Sequence, residues 1–266
     1  MVLRLKCLTG YIFAVLAGLL FMVLANAPAQ YIAANAGALV LGIAIVLLSR
    51  PFSSKMAVIF ISVMVAAMLL TLLGIGQEGV RRWLSLGPFN LHAAMLLLPA
   101  FFAIILRIDR RLAFLAVASV AAIVAGQPDR ASALALLFGT SVLAYTRREP
   151  LDLGMVAVSG FAVAVTLIRN DPLEPVRFVE GVIFDSWHTH PLYAILLAIA
   201  LLWAVSAIAI HNQTSSRAAA IAVMACFAGF IIASFVGAYP VPLIGYGVSS
   251  IIGYGLAFGI LQRGYS

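Results

Sequence analysis

A succession of apolar runs, each about as long as a bilayer core demands, constrains this chain more than any other feature. Ten can be placed, at roughly 10–27, 31–48, 55–76, 90–106, 111–126, 131–146, 151–168, 189–210, 217–237 and 241–262 of the 266 residues. A helix needs about 20 consecutive apolar residues to cross the hydrocarbon. Backbone in hydrocarbon must satisfy its own hydrogen bonds, so every run is expected to be helical. Several runs are near the lower length limit, which predicts upright or broken helices. The chain is 64% hydrophobic and 9% charged, with no polar stretch long enough for a separate soluble domain. The expectation is an all-α, polytopic integral membrane protein with a single membrane domain over 1–266.

The net charge of +7 reads as topology rather than as nucleic-acid binding. With the N-terminus inside, the cytoplasmic segments hold Arg4, Lys6, Arg50, Lys55, Arg107, Arg110, Arg111, Arg147, Arg148, Arg217 and Arg263. The outer segments hold Arg81, Arg82, Arg130, Arg169 and Arg177, so 11 of the 16 basic residues are inside. Both termini are therefore expected in the cytoplasm. Arg4, Lys6, the apolar run from Tyr11 and Ala25-Asn26-Ala27 resemble a cleavable signal peptide over 1–27. The next run follows at once, so a retained first helix is the favoured reading. Cys7 and Cys226 sit too far apart in sequence to suggest a disulfide framework or a metal knuckle.

All five outer arginines lie in three loops, 77–89, 127–130 and 169–188. Arginine kept on the disfavoured side suggests a use, and binding an anionic group is one; snorkelling beside lipid phosphates is the other. The polar segment Arg169–His190 holds four of the nine carboxylates and two of the four histidines. His188 and His190, with Asp185 or Glu180, include residue types that hold a divalent metal. A third ligand at helical spacing is missing, so no cofactor is expected and a divalent cation is the only metal the segment suggests. His92 at a helix start reads as a cap or interface residue, Asp129 as an N-cap, and His211 as a solvated helix end. No Asp, Glu, Lys or Arg falls clearly within a span, which weighs against an ion-coupled carrier.

Four segments carry more than hydropathy. Gly79-Val80-Arg81-Arg82-Trp83-Leu84-Ser85-Leu86-Gly87-Pro88-Phe89 resembles the Gly-Ala-x-Arg-Trp-Ile-x-x-Gly segment of the SEDS family (shape, elongation, division and sporulation; the FtsW/RodA/SpoVE type). Gln127-Pro128-Asp129 resembles that family's Gln-Pro-Asp turn, followed here by Arg130-Ala131-Ser132 in place of Leu-Gly-Thr. Pro242-Leu243-Ile244-Gly245-Tyr246-Gly247-Val248-Ser249-Ser250 is similar to its Leu-Pro-Phe-Ile-Ser-Tyr-Gly-Gly-Ser-Ser. His188-Thr189-His190 stands where the family has His-Thr-Asp. The resemblance runs from about Gly74 onward and implies ten helices with a large outer loop between the seventh and eighth. Gly245, Ser249 and Gly253 also fall at four-residue spacing, which equally suits close helix packing.

The resemblance implies a peptidoglycan glycosyltransferase that polymerises lipid II beside a class B penicillin-binding protein. Such chemistry needs a base for the acceptor hydroxyl and cations for the departing lipid pyrophosphate. On this sequence the catalytic candidates are His190 and Asp185. The substrate-binding candidates are Arg81, Arg82, Asp129, Arg130, Arg177 and His188. The sequence departs from the family at His190, at Met95 (a glutamate there) and at Leu98 (a lysine there). Two further readings stay open: a non-catalytic scaffold of an envelope-assembly complex, and a transporter of lipid-linked sugars.

Overall fold

The structure is a computed structural model. It describes residues 2–51, 53–74, 76–87, 89–169, 171–210 and 217–262, with side chains for all of these except 2–7, 89 and 210. His211, Arg263 and the side chains of Arg4, Lys6 and Cys7 lie outside the described residues.

Among the described residues eleven α-helices run in the order α1 (Val2–Leu24), α2 (Ala29–Leu48), α3 (Ser54–Thr71), α4 (Ala93–Ile104), α5 (Arg110–Gly126), α6 (Arg130–Arg147), α7 (Pro150–Ile168), α8 (Val182–Thr189), α9 (Pro191–Ile210), α10 (Arg217–Val236) and α11 (Val248–Gln262). Five of them, α2, α3, α7, α9 and α10, are long and apolar enough to cross a membrane, and shorter apolar helices lie at Leu8–Leu24, Ala93–Arg107 and Val248–Gln262. The chain is an all-α, multi-pass membrane protein. Helix starts follow local chemistry. Ser53 accepts from Met56 N, Asp109 from Arg111 N and Leu112 N, and Asp129 from Ser132 N, each relieving an unpaired helical N–H. Pro150 opens α7, where its missing N–H costs nothing.

Three departures from the expected runs shape the outer end. First, the run expected at 90–106 begins as a strand. β1 (Trp83–Leu86) pairs antiparallel with β2 (Phe89–His92), and Gly87 turns between them at φ +59°. α4 then has only 12 residues before a 3-10 turn at Ile105–Arg107. Second, the run expected at 241–262 is not helical until Val248, so α11 has 15 residues. Third, the outer segment 169–190 contains α8, eight residues long. At about 1.5 Å per residue, α4 and α11 rise about 18 and 22 Å, well short of the hydrocarbon thickness. Non-helical chain, β1 and β2 before α4 and 237–247 before α11, leads into both.

The buried core runs through all the helices except α8's outer face. α10 lies along α6, α11 lies between α2 and α4, and α1 packs on α9. Backbones approach closely at small residues. A Cβ on Gly229 of α10 would stand 2.6 Å from Ala135 Cα of α6, and one on Gly253 would drive into the Met95 carbonyl of α4. The other two residues of the four-spaced set do different work: Ser249 accepts a hydrogen bond, and Gly245 sits in the irregular segment ahead of α11.

Asp152, in the first turn of α7, is fully buried, with Arg147 Nε 3.2 Å from its carboxylate. Arg110 and Glu149 pair at the same end of the bundle.

Because the Gly229 contact is backbone on backbone, neither helix can yield locally. Gly229→Ala is expected to lower stability by about 1–3 kcal/mol through overpacking, read as a drop in thermal midpoint in detergent. Gly160→Ala, with open space around it, is the matched control.

Candidate functional site

The loops 72–92, 126–130, 169–190 and 237–247 gather at one end of the bundle, and a connected set of buried polar side chains joins them. Asp129 is fully buried at the start of α6. Its Oδ1 accepts from Ser132 N at 3.1 Å and its Oδ2 accepts from Ser132 Oγ. His92, 5% exposed, caps α4: its Nδ1 accepts from Met95 N at 3.3 Å. That bond leaves the proton on Nε2, which faces Asp129 Oδ2 at 3.3 Å without hydrogen-bond alignment. Arg82, 3% exposed, donates from Nη1 to Asp171 Oδ2 at 2.7 Å. Its guanidinium also lies over the rings of Trp83 and Tyr239, at 5.0 and 5.5 Å.

The protonation states follow from these placements. Burial brings the His92 pKa down to about 4, with Asp129 opposing and Arg82 assisting, so the imidazole is neutral near pH 7. Burial alone would raise Asp129. His92, Arg82 and the two Ser132 hydrogen bonds reverse it and hold the carboxyl below the ordinary range. At neutral pH, where His92 is uncharged, Arg82 and Ser132 supply that stabilisation. Burial also works against the Arg82 charge, but Asp129 and Asp171 outweigh it. The set is one buried cation with two carboxylates, and a neutral imidazole beside them.

Above this set lies a cavity of about 250 Å³, lined in part by Arg82, Trp83, Asn90, His92, Glu180 and Ser249. Met95 near the start of α4 and Val248 and Ser249 at the start of α11 line it. The segment before α11 is held by side chains that replace helical hydrogen bonds. Asn35 of α2 donates to Gly245 O at 2.9 Å and accepts from Gly247 N at 3.2 Å. Ser250 Oγ accepts from Leu243 N, and Ser249 Oγ accepts from His92 N. Tyr246 stacks on Tyr31 at 4.0 Å. The outer loop closes the other wall, where Tyr246 N donates to Phe178 O and Val241 N to Val179 O. Phe178 and Leu243 both stand in the left-handed region, at φ 70° and 68°, a strained conformation for bulky residues.

A second cavity, about 550 Å³, borders the first and is lined in part by Phe21, Arg177, Phe178, Glu180, Asp185 and His188. Glu180 is half-buried and its Oε2 accepts from Val176 N at 2.6 Å. Burial raises its pKa against the opposing pull of the Val176 N–H and Arg82.

The sequence-predicted residues divide among these places. Arg82 and Asp129 meet in the buried set, while Arg177, Asp185 and His188 border the second cavity. His190 lines neither cavity: its Nδ1 accepts from Leu192 N at 3.3 Å at the start of α9. Arg81 donates to Leu72 O, beyond the end of α3, and Arg130 to Thr166 O in the last turn of α7. Arg169 likewise donates to Ala125 O and Gly126 O at the end of α5. These three arginines thus sit on carbonyls at helix C-termini, where a positive charge is favoured. Met95 and Leu98 are buried, and Met95 lines the first cavity. His92 is the cap its position suggested, but its place facing Asp129 was not foreseen. Among the described residues no group of three His, Cys, Asp or Glu is placed to hold a metal ion.

No protein-family model matches the sequence, and no curated protein matches it. Solved structures do. The chain is similar to the crystal structure of the Thermus thermophilus rod shape determining protein RodA, with 20% identity, 97% of each chain covered and a TM-score of 0.71. An aspartate-to-alanine mutant of the same protein matches at 19% identity and a TM-score of 0.70, covering 97% of this chain and 98% of that one. A chain from a study of the structural coordination of polymerization and crosslinking by a peptidoglycan synthase complex matches at 20% identity and 0.63, with the same coverages. The fold is therefore the RodA type, that of the SEDS membrane proteins.

Two measurements test the buried set. His92 has a folded pKa below its ordinary value of 6.5 and Asp129 one below its own. In both, the unfolded chain binds the proton more readily, so stability is lost as pH falls. The thermal midpoint should drop from about pH 6.5 toward 4, and His92→Asn should flatten the part of that slope nearest pH 6. Asp129→Ala removes a cap and leaves the buried Arg82 short of a carboxylate, so a loss of about 3–5 kcal/mol is expected. Asp129→Asn keeps an N-cap acceptor and should lose less.

Proposed function

We propose that this chain works in the assembly of a bacterial envelope glycan, as a multi-pass protein of the cytoplasmic membrane. It binds an undecaprenyl-pyrophosphate-linked saccharide of the lipid II type and transfers its glycan as a glycosyltransferase. The observation that carries the reading is the pair of adjoining cavities at the outer end. One is lined by aromatic, amide and carboxylate groups, the lining a saccharide requires. The other bears Arg177 and His188, which suit a pyrophosphate. The RodA-type fold agrees with this reading. A class B penicillin-binding protein is the proposed partner, since one neighbour comes from a peptidoglycan synthase complex.

In this reaction the acceptor hydroxyl oxygen attacks the anomeric carbon of the donor sugar. The bond from that carbon to the pyrophosphate oxygen breaks, and the electron pair leaves with the lipid pyrophosphate. The proton goes to a base in the outer loop, where Asp185 and His188 face the second cavity, Glu180 faces both, and His190 stands at the start of α9. Arg177 meets the charge that develops on the leaving group.

A second reading is a scaffold that keeps the fold without turnover. Met95 and Leu98, buried and apolar where the resembling family has ionisable residues, favour it.

Purified chain with lipid II and a class B penicillin-binding protein is expected to yield glycan polymer, resolved by gel electrophoresis. Arg177→Ala should reduce the yield by tenfold or more. Lipid II binding without polymer, under every partner tried, would select the scaffold; no binding at all would reject lipid II as the substrate.

A further inference from the structure

We infer that Glu180 is the general base of the proposed transfer, taking the proton of the acceptor sugar hydroxyl where the two cavities meet. The inference rests on the glycosyl-transfer reading above and assigns its proton acceptor. Glycosyl transfer makes one geometric demand on the base. It must stand where the acceptor hydroxyl meets the anomeric carbon of the donor, at the boundary between the acceptor saccharide and the lipid pyrophosphate. Of the titratable residues that line either cavity, Glu180 alone lines both.

Its surroundings hold it there. Val176 N donates to Oε2 at 2.6 Å, so one carboxylate oxygen is fixed. The backbone on the N-terminal side is clamped by Tyr246 N to Phe178 O and Val241 N to Val179 O. Phe178, buried against Phe21 of α1, takes a left-handed backbone, and Gly181 follows at φ +68°. Two left-handed residues thus bracket the Val179–Glu180 pair. Half-burial raises the Glu180 pKa, which strengthens a carboxylate as a base toward neutral pH.

The other candidates are placed less well. Asp129 is fully buried and its oxygens are engaged by Ser132. Asp171 is paired with Arg82. Asp185 and His188 line only the second cavity, and the His190 Nδ1 lone pair already holds the Leu192 N–H. Glu174 lines only the first cavity.

The test uses the full chain in detergent with its penicillin-binding protein partner and lipid II. It measures both polymerisation rate and lipid II affinity. Glu180→Gln is expected to lower the rate by about 10²–10⁴-fold, the range for loss of a general base, while affinity stays within about threefold. The acid limb of the pH–rate profile should vanish in Glu180→Gln and survive, at a lower rate, in Glu180→Asp. Polymerisation by Glu180→Gln at the wild-type rate overturns the assignment and leaves the proposed function standing. The same holds if Asp185→Asn or His190→Ala, and not Glu180→Gln, removes the acid limb. Equal loss of rate and affinity in Glu180→Gln makes it a binding group and overturns the base. Lipid II binding by the wild type without turnover overturns the base and selects the scaffold, and absence of binding rejects the substrate class as well.

Discussion

The outer end of this bundle depends on the Asp129 carboxylate. One side chain caps α6, meets the Nε2 edge of His92 at the head of α4, and balances the charge of Arg82 at the start of the hairpin. Arg82 in turn holds Asp171 and with it the start of the outer loop. A lone guanidinium at 3% exposure would be prohibitive to bury. Placed between two carboxylates and over two aromatic rings, it becomes the pin that joins four segments far apart in the chain. A buried ionic set of this kind contributes little net stability compared with apolar packing. Its effect is geometric: it fixes where the hairpin and the outer loop sit relative to α4 and α6.

That pin matters because two neighbouring helices end early. α4 and α11 lie side by side, and both are too short to cross the hydrocarbon as regular helix. The chain that completes their crossings cannot be helical, and irregular backbone at depth is tolerated only when its polar groups find partners. Asn35, Ser249 and Ser250 supply them for residues 243–247 and for the head of α4, using side chains where a helix would use its own carbonyls. The strained backbone of Leu243 lies in the segment so braced, and that of Phe178 in the loop held by the Tyr246 and Val241 N–H groups. Each costs about 1–3 kcal/mol, and the surrounding hydrogen bonds and packing hold them. Short helices and braced backbone therefore share one location, the walls of the first cavity, and the strained residues stand next to it in the chain.

How far the sequence alone led varies with the range of the interaction. The runs are legible because apolar length is a local property, and Asp129 and His92 are legible as caps because a cap bonds within three residues. The hairpin is not legible, because Trp83–His92 reads as the approach to a helix until Arg82 and Ser249 fix its two ends. The meeting of His92 with Asp129, or of Arg82 with Asp171, depends on helix packing across the bundle. Glu180 shows the same limit. In the sequence it is one carboxylate among four in a polar loop, and only folding sets it between two cavities while leaving His190 at a helix start.

The outer arginines show why charge counting overstates a binding site. In a bundle that alternates across the membrane from an inside start, α3, α5 and α7 bring their C-termini to the outer side. Each end carries unpaired carbonyls and the negative pole of its helix. Arg81, Arg169 and Arg130 donate to carbonyls at those ends, so their place on the disfavoured side follows from topology without any ligand. Arg82 is consumed by the buried set. Arg177 alone of the five is exposed beside a cavity, held over the Phe178 ring at 4.7 Å. A pyrophosphate at the second cavity would meet one arginine and one imidazole rather than a clamp of four guanidinium groups. The leaving group would then be held more loosely than the arginine count implies, and a larger share of the catalysis would fall to positioning the acceptor and its base.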